Sequence, residues 1–271
     1  MKLRLLHISF MFLLIMGCSN MKEETTEEKI NYRKMYLSKK KLASKRIFFG
    51  HQSVGSNIID GLLTEMKKNP SEKLKLISTE MLSIRENDNG VFVHKEIGKN
   101  GDPMLKINDF VSVVESGVGD KVEFAGLKFC YADFTSSTDI NKIFLYYKEK
   151  MSMLEKKYPN LSIIHFTVPL RTVQGGLKGS MKRFLGKDTG IKNNRVRNDF
   201  NHLLREELES SKIFDLARIE STFDDGSRNF ILSKGDTIYA LVPEFSIDGG
   251  HLSEKGKNIV ARKFILFFEN L

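Results

Sequence analysis

The chain has 271 residues, of which 41% are hydrophobic and 28% charged, and its 43 Lys and Arg against 34 Asp and Glu give a formal charge of +9. This balance is typical of a folded protein and excludes a fibrous or disordered chain. The excess positive charge is dispersed, without an arginine-rich arm or zinc-finger spacing, so nucleic-acid binding is not predicted. Two cysteines, Cys18 and Cys130, exclude a disulfide framework, and no spacing of potential ligands predicts a metal site.

The N-terminus has the pattern of an export signal. Two positive charges, Lys2 and Arg4, precede a mostly apolar run over residues 5–16 that is too short to span a membrane. We predict a signal peptide over residues 1–17. The stretch ending in Gly17-Cys18 resembles the lipobox of bacterial lipoproteins, which implies that Cys18 becomes the lipidated first residue of the mature protein. A plain signal peptide or a buried N-terminal helix is the alternative.

Residues 18–45 follow as a polar, charge-dense segment, first acidic and then basic. We predict a tether here, with a surface helix over residues 24–41 as an option. The folded domain is predicted over residues 46–271. With the lipidated cysteine, this organisation predicts a lipoprotein of the cell envelope that is anchored in a membrane and faces away from the cytoplasm.

From Arg46 onward, short apolar runs alternate with longer amphipathic segments. The short runs predict five strands, over residues 47–50, 74–78, 124–132, 161–168 and 212–216. The longer segments predict helices over residues 58–66, 102–114, 138–158, 195–209 and 253–268. Because parallel strands need helical crossovers, we predict an α/β fold, a three-layer α/β/α sandwich with a five-stranded, mainly parallel sheet of flavodoxin-like type. Long loops are predicted over residues 79–101, 170–190 and 218–247, and loops of this length are often functional.

The first strand is followed by Gly50-His51-Gln52-Ser53-Val54-Gly55, which leads into a helix. A serine at this junction presents its hydroxyl beside the N–H groups of the helix start, which can stabilise an oxyanion. Ser53 is therefore a candidate nucleophile. Serine is also a favoured N-cap residue, so a purely structural role is the alternative.

A second candidate motif, Asp248-Gly249-Gly250-His251, stands just before the last predicted helix. An Asp and a His three residues apart on one turn can touch, and the carboxylate then holds the imidazole in the tautomer that accepts a proton from a serine. The alternative is an ordinary turn, because Asp and Gly-Gly are common turn residues.

These blocks, in this order, resemble those of the SGNH/GDSL hydrolase superfamily over residues 46–271. The last block of that superfamily reads D-x-x-H before the C-terminal helix, which Asp248 and His251 match. Its first block is a strand followed by G-D-S, of which this chain keeps the strand, Gly50 and Ser53. The resemblance implies a three-layer fold in which Ser53 is the nucleophile, His251 the acid-base catalyst and Asp248 its orienting carboxylate.

The resemblance also implies residues for the oxyanion hole. The glycine of the second block, an oxyanion donor in the superfamily, falls on Gly101. The third block, G-x-N-D, falls on residues 130–133, where Ala132 stands in the place of the asparagine. The remaining donor is then open among four candidates, Asn100, Tyr131, a protonated Asp133 and His51, and an incomplete oxyanion hole is the alternative. His51 could equally be a turn residue bonded to the backbone.

Two other residues near the predicted strand ends have simple alternatives. Arg171, just after the fourth strand, could reach an anionic group of a substrate or could be a solvated loop arginine. Cys130, in a predicted strand, is expected to be a small core residue.

Together these features predict an exported, lipid-anchored serine esterase, a monomeric hydrolase that needs no cofactor. Its expected substrate is a small-molecule or carbohydrate ester, for example an O-acetyl group on a wall polymer. Two alternatives stay open: a non-catalytic ligand-binding module on the same scaffold, and an O-acyltransferase with the same triad, which differs only in the acceptor of the acyl group.

Overall fold

The computed structural model describes residues 26–68, 74–78, 90–173, 190–269 and 271. Within these ranges the chain forms eight strands: β1 (Arg46–His51), β2 (Lys75–Ser78), β3 (Val91–Glu96), β4 (Phe124–Leu127), β5 (Ser162–Phe166), β6 (Ile213–Phe214), β7 (Phe230–Ser233) and β8 (Asp236–Tyr239). They also hold seven α-helices: α1 (Thr26–Ala43), α2 (Val54–Lys67), α3 (Pro103–Val113), α4 (Ile140–Lys157), α5 (Ile191–Glu207), α6 (Leu216–Glu220) and α7 (Glu254–Phe267). The predicted signal peptide and Cys18 lie outside the described residues, as do residues 79–89 and 174–189 of the predicted loops.

Six of the described strands form one sheet in the order β2-β3-β1-β4-β5-β6, and every pairing in it is parallel. The predicted α/β class is confirmed, but the predicted number of five strands is wrong. The additional strand, β3, lies within the stretch 79–101 that was predicted as a loop. Only its first half is apolar and buried, and His94-Lys95-Glu96 complete it. Such a short apolar run does not stand out in the sequence.

Apolar side chains cover both faces of this sheet. Along β1 the side chains alternate: Phe48 packs into a cluster with α3, α4 and α5, whereas Ile47 and Phe49 pack into another with α2 and α7. The molecule is therefore the predicted three-layer α/β/α sandwich. The stretch 218–247, also predicted as a loop, contains a small separate sheet in which β7 and β8 pair antiparallel.

Polar caps define where three helices begin. The side chains of Asp102, Asp139 and Ser253 each accept a hydrogen bond from the backbone N–H three residues further along the chain. These caps begin α3, α4 and α7 where the sequence predicts them. The start of α7 matters most for the candidate site, because the Asp248–His251 turn immediately precedes it.

The carboxyl ends of the central strands meet at one edge of the sheet, since the strands are parallel. The segments that leave this edge are residues 52–53 after β1, 97–102 after β3, 128–133 after β4 and 167–173 after β5. In open α/β sheets this edge is where ligands bind. It is the edge at which most of the predicted site residues lie.

Helix α1 belongs to the folded unit rather than to a tether. Its C-terminal half packs on the domain: Leu42 is fully buried, and Lys39 donates to the backbone oxygen of Glu65 in α2 at 2.7 Å. The tether predicted over residues 18–45 therefore does not reach residue 45. Charge density suggested solvent exposure, but a lysine can be buried where it finds such an acceptor. No helix among the described residues is long and apolar enough to cross a membrane.

The packing of α1 predicts that replacing two leucines of this helix by alanine changes the free energy of unfolding by different amounts. We expect Leu42→Ala to lower the free energy of unfolding by about 2–5 kcal/mol, because it opens a cavity at a buried site. Leu37→Ala is the matched control, since Leu37 is 51% exposed, and it should cost less than about 0.5 kcal/mol. Urea denaturation measures both. Equal effects would show that α1 is not packed as described.

Candidate active site

Ser53 stands in a strained turn between β1 and α2. Its backbone has φ 52° and ψ −104°, and among the described residues only Lys234 is another non-glycine residue with positive φ. Strain of this kind, held in place by the surrounding structure, clusters at functional sites. Ser53 occupies the N-cap position, but its side chain makes no capping hydrogen bond. The capping role that competed with the nucleophile role is therefore absent.

The Ser53 hydroxyl instead meets His251. Ser53 Oγ lies 2.6 Å from His251 Nε2, and His251 Nδ1 lies 2.5 Å from Asp248 Oδ2. The structure thus brings the three predicted triad residues into one hydrogen-bonded chain. Because Nδ1 donates its proton to the carboxylate, Nε2 is left to accept the proton of the serine hydroxyl.

Asp248 is fixed in its turn by the backbone. Its Oδ1 accepts hydrogen bonds from the N–H groups of Gly250 and His251 at 2.9 and 2.8 Å. The hydrogen bond from the His251 side chain, supported by these backbone donors, lowers the pKa of Asp248 to about 2. The carboxylate is therefore charged at neutral pH and can orient the imidazole.

A different structural feature explains the presence of glycine at each of the two middle positions of this motif. Gly249 has φ +87°, a conformation that side chains rarely adopt, and its carbonyl accepts from Thr172 N at 3.0 Å. Gly250 lies so close to the ring of Tyr131 that a Cβ would come within 2.7 Å of Cε1. The same ring lies edge-on to the His251 ring, with the centroids 6.0 Å apart. Tyr131 therefore forms a side of the site.

Two predicted oxyanion residues have other partners. The Gly101 N–H donates to Asp133 Oδ1 at 2.8 Å, so the prediction that it faces the oxyanion is wrong. The prediction that a protonated Asp133 donates to the oxyanion is also wrong. Its carboxylate accepts from Cys130 N at 2.6 Å and from Lys106 Nζ at 2.9 and 2.7 Å. Lys106 and Asp133 form an ion pair with both side chains fully buried.

His51 is buried in the core. As the last residue of β1 it points to the α2 side of the sheet, stacks on Phe49, and is only 1% exposed. Its Nε2 lies 3.1 Å from His94 Nδ1, and burial lowers the pKa of His51 to about 3, so the ring is neutral. The prediction of an oxyanion or pocket role for His51 is therefore wrong. Side chains alternate along a strand, which sends residue 51 into the core.

Asn100 lies in the segment after β3, at the same edge of the sheet as the serine turn. Its Oδ1 accepts from Lys106 Nζ at 2.9 Å, which turns the Nδ2 amide away, and Nδ2 donates to none of the described residues. The Ser53 backbone N–H is also without an acceptor among them. Gln52 donates to the carbonyls of Ile97 and Gly98, both at 3.3 Å, and so joins the serine turn to the segment before Asn100.

Two buried lysines beneath the site were not predicted. Lys106 lies on the core face of α3, in helical register with Pro103 and Phe110, and that spacing was a signal for its burial. Lys128, just after β4, is fully buried and donates to the backbone carbonyl of Gln52 at 2.7 Å. Burial lowers the pKa of Lys128 to about 8. Cys130 is a buried free thiol, consistent with a core residue.

The site offers hydrogen-bonding and proton-transfer groups. Within the part of the chain that the structure describes, no group of three or more His, Cys, Asp or Glu residues could hold a metal ion. The chemistry at hand is that of a serine hydroxyl, an imidazole and a carboxylate beside free N–H donors. This combination can perform acyl transfer through a covalent serine ester.

No protein-family model matches the chain, and no curated protein is significantly similar to it. Solved structures to which the chain is similar include a Streptococcus pneumoniae protein described as a platelet activating factor (13% identity, 88% of this chain and 90% of that one covered, TM-score 0.48). A second is a lipolytic protein assigned to the G-D-S-L family from Desulfitobacterium hafniense (10% identity, 83% of this chain and 99% of that one covered, TM-score 0.39). A third is the periplasmic domain of a lipopolysaccharide acetyltransferase from Salmonella ser. Paratyphi A (12% identity, 89% of this chain and 88% of that one covered, TM-score 0.42).

The buried ion pair below the site predicts a large stability effect. We expect Lys106→Met to cost about 3–5 kcal/mol in the free energy of unfolding, because it leaves the Asp133 carboxylate buried without its cation. Lys148→Met is the matched control, since Lys148 pairs with Glu207 at the surface, and it should cost less than about 1 kcal/mol. Urea denaturation compares them, and a cost below about 1 kcal/mol for Lys106→Met would contradict the buried pair.

Proposed function

We propose that the chain is a serine esterase of the SGNH/GDSL type. The observation that carries the proposal is the continuous hydrogen-bonded chain from Ser53 Oγ through His251 to Asp248, with distances of 2.6 and 2.5 Å. The strained backbone at Ser53 and the absence of a capping bond support it, because they remove the structural explanation for this serine. The order of the motifs along the chain supports the same superfamily.

In the proposed reaction, Ser53 Oγ attacks the ester carbonyl carbon while its proton passes to His251 Nε2. The tetrahedral intermediate collapses by breaking the bond to the alcohol oxygen, which takes the proton from Nε2 as it leaves. A water molecule then attacks the acyl-serine, giving one proton to Nε2, and the second collapse releases the acid and returns that proton to Ser53. Asp248 stabilises the imidazolium in both halves.

The negative oxygen of each intermediate needs fixed donors. We assign this role to the Ser53 backbone N–H and Asn100 Nδ2, two donors at the strand edge that have no acceptor among the described residues. Lys106 orients the amide, since its ammonium occupies the oxygen side of Asn100. Donors that are held in place before the reaction stabilise the developing charge without reorganisation.

We further propose that the protein acts outside the cytoplasm, anchored by a lipid on Cys18. The lipobox-like sequence ending at Cys18 supports this anchor. A carbohydrate or wall-polymer ester, such as an O-acetyl group, is the substrate that fits such a location. The same triad would serve transfer of the acyl group to a sugar hydroxyl, and the products formed with and without a sugar acceptor distinguish the two reactions.

The proposed chemistry predicts a specific loss of activity. With 4-nitrophenyl acetate as substrate, we expect Ser53→Ala to lower kcat/KM by at least about a thousandfold, since it removes the nucleophile. Ser56→Ala, three residues along on α2 and outside the triad, is the matched control and should retain the wild-type rate. Initial rates of nitrophenol release, with folding checked by circular dichroism, measure the effect. Unchanged hydrolysis in Ser53→Ala would refute the assignment.

Two further variants in the same assay test the supporting roles. Asp248→Asn should lower kcat by about 10⁴, because the amide favours the wrong imidazole tautomer. Asn100→Ala should lower kcat by about 10²–10³, the usual effect of losing one oxyanion donor. A full rate in Asn100→Ala would exclude Asn100 from the oxyanion hole while leaving the triad in place.

The lipid anchor predicts a separate result in cells that lipidate exported proteins. Wild-type protein should incorporate labelled fatty acid and sediment with membranes, and Cys18→Ser should do neither, because the thioether to diacylglycerol forms on the sulfur of Cys18. Cys130→Ser is the control, since its thiol is buried in the domain. Normal labelling of Cys18→Ser would contradict the anchor.

A further inference from the structure

Arg171 is held against the triad turn. It follows β5, and its backbone is fixed by Asn194, which accepts from Arg171 N at 3.1 Å and donates to Arg171 O at 2.7 Å. Its guanidinium donates from Nε to the Gly249 carbonyl at 3.2 Å and from Nη2 to the Asp248 carbonyl at 3.4 Å. The side chain is exposed, and these two contacts leave its Nη1 group without a partner among the described residues.

Tyr131 connects this guanidinium with the catalytic histidine. The Arg171 guanidinium carbon lies 5.2 Å from the centre of the Tyr131 ring, and the same ring meets the ring of His251 edge-on. A substrate with its carbonyl at Ser53 and His251 would therefore extend along Tyr131 toward Arg171. The Tyr131 hydroxyl makes no hydrogen bond with the described residues, so it is a second free polar group on this side of the site.

The positive charges of Arg171 and Arg197 have no counter-ion among the described carboxylates. No such group forms an ion pair with Arg171 or with Arg197, whose guanidinium carbon lies 5.8 Å from the same ring. Arg197 is 3% exposed and donates to the Tyr131 carbonyl and to Asn194 Oδ1. Glu220, which is fully buried, has its pKa raised to about 8 by that burial and so carries little charge at pH 7. Asp248 is already engaged by His251.

We infer that Arg171 and Tyr131 form a subsite for an anionic group, a carboxylate or phosphate, on the ester substrate. The inference rests on the proposed esterase function and names a substrate class for it. The guanidinium presents a planar set of donors that matches such groups, and the phenol hydroxyl adds one more donor. The anion can belong either to the acyl part of the ester or to its alcohol part.

A simpler role for Arg171 is to clamp the Asp248–Gly249 turn. The two roles differ in what they do to substrates. Loss of a clamp displaces the triad and slows neutral and anionic esters alike. Loss of an anion subsite lowers the ratio between anionic and neutral esters, mainly through the KM of the anionic ones.

The test compares matched esters. For the acyl side, 4-nitrophenyl hemisuccinate is compared with 4-nitrophenyl acetate, and for the alcohol side 4-acetoxybenzoate is compared with its methyl ester. We expect wild type to prefer one anionic ester over its neutral partner by about tenfold or more in kcat/KM, the scale of one charge-assisted contact. In Arg171→Gln this ratio should fall to about one, and Arg171→Lys should restore part of it. Arg218→Gln, an exposed arginine on α6, should leave the ratio unchanged.

Two outcomes would overturn the subsite while leaving the esterase intact: hydrolysis by wild type without preference for either anionic ester, or an equal loss for neutral and anionic esters in Arg171→Gln. If wild type hydrolyses none of the four esters, the proposed function fails instead. NMR titration of Ser53→Ala with the two anionic esters then decides the subsite by itself. Binding that Arg171→Gln abolishes on this background supports it, and no binding overturns it.

Discussion

The hydrogen bond between Ser53 and His251 joins positions 198 residues apart, and the candidate site exists only if the fold brings them together. The parallel sheet presents Ser53 at its carboxyl edge, directly after β1. Helix α2, which begins after Ser53, is joined to the histidine turn by the bond from Leu252 N to Asn57 Oδ1 at 3.0 Å. The geometry of the hydrogen-bonded Ser53–His251–Asp248 chain therefore depends on packing that spans the whole domain rather than on a local motif.

Two buried lysines below this edge, Lys106 and Lys128, connect the segments that form the site. Burying a charge is unfavourable unless it is paired or hydrogen-bonded, and each of the two lysines finds its partners in the site segments. Lys106 binds Asp133 and Asn100, and Lys128 binds the carbonyl that precedes Ser53. The ammonium groups thus connect the segments after β1, β3 and β4. We infer that the strained serine turn persists because these contacts hold its neighbours in place.

The sequence predicted the features that depend on chain order and periodicity: the α/β class, the starts of α3, α4 and α7, and three residues that the fold brings together, Ser53, His251 and Asp248. The sequence-based predictions were wrong where hydrogen-bond partners far along the chain determine the role of a residue. Gly101 and Asp133 were assigned as donors, but they bond to each other, and Lys106, 27 residues before Asp133, was missed. The prediction for His51 was wrong for a local reason, because the alternation of side chains along β1 buries this residue. The polar segment containing α1 folds onto the domain because Leu42 is buried there and Lys39 finds an acceptor in α2.

The central claim is that His251 activates Ser53. The most direct measurement is the intact mass of the full chain after exposure to a fluorophosphonate, with the modified peptide mapped, beside His251→Ala checked for folding. We predict one adduct, on Ser53, that forms on wild type and is lost or strongly slowed in His251→Ala. A folded wild type that takes no adduct, or one that is modified equally in both proteins, would contradict the account. The scaffold would then be better described as a binding module.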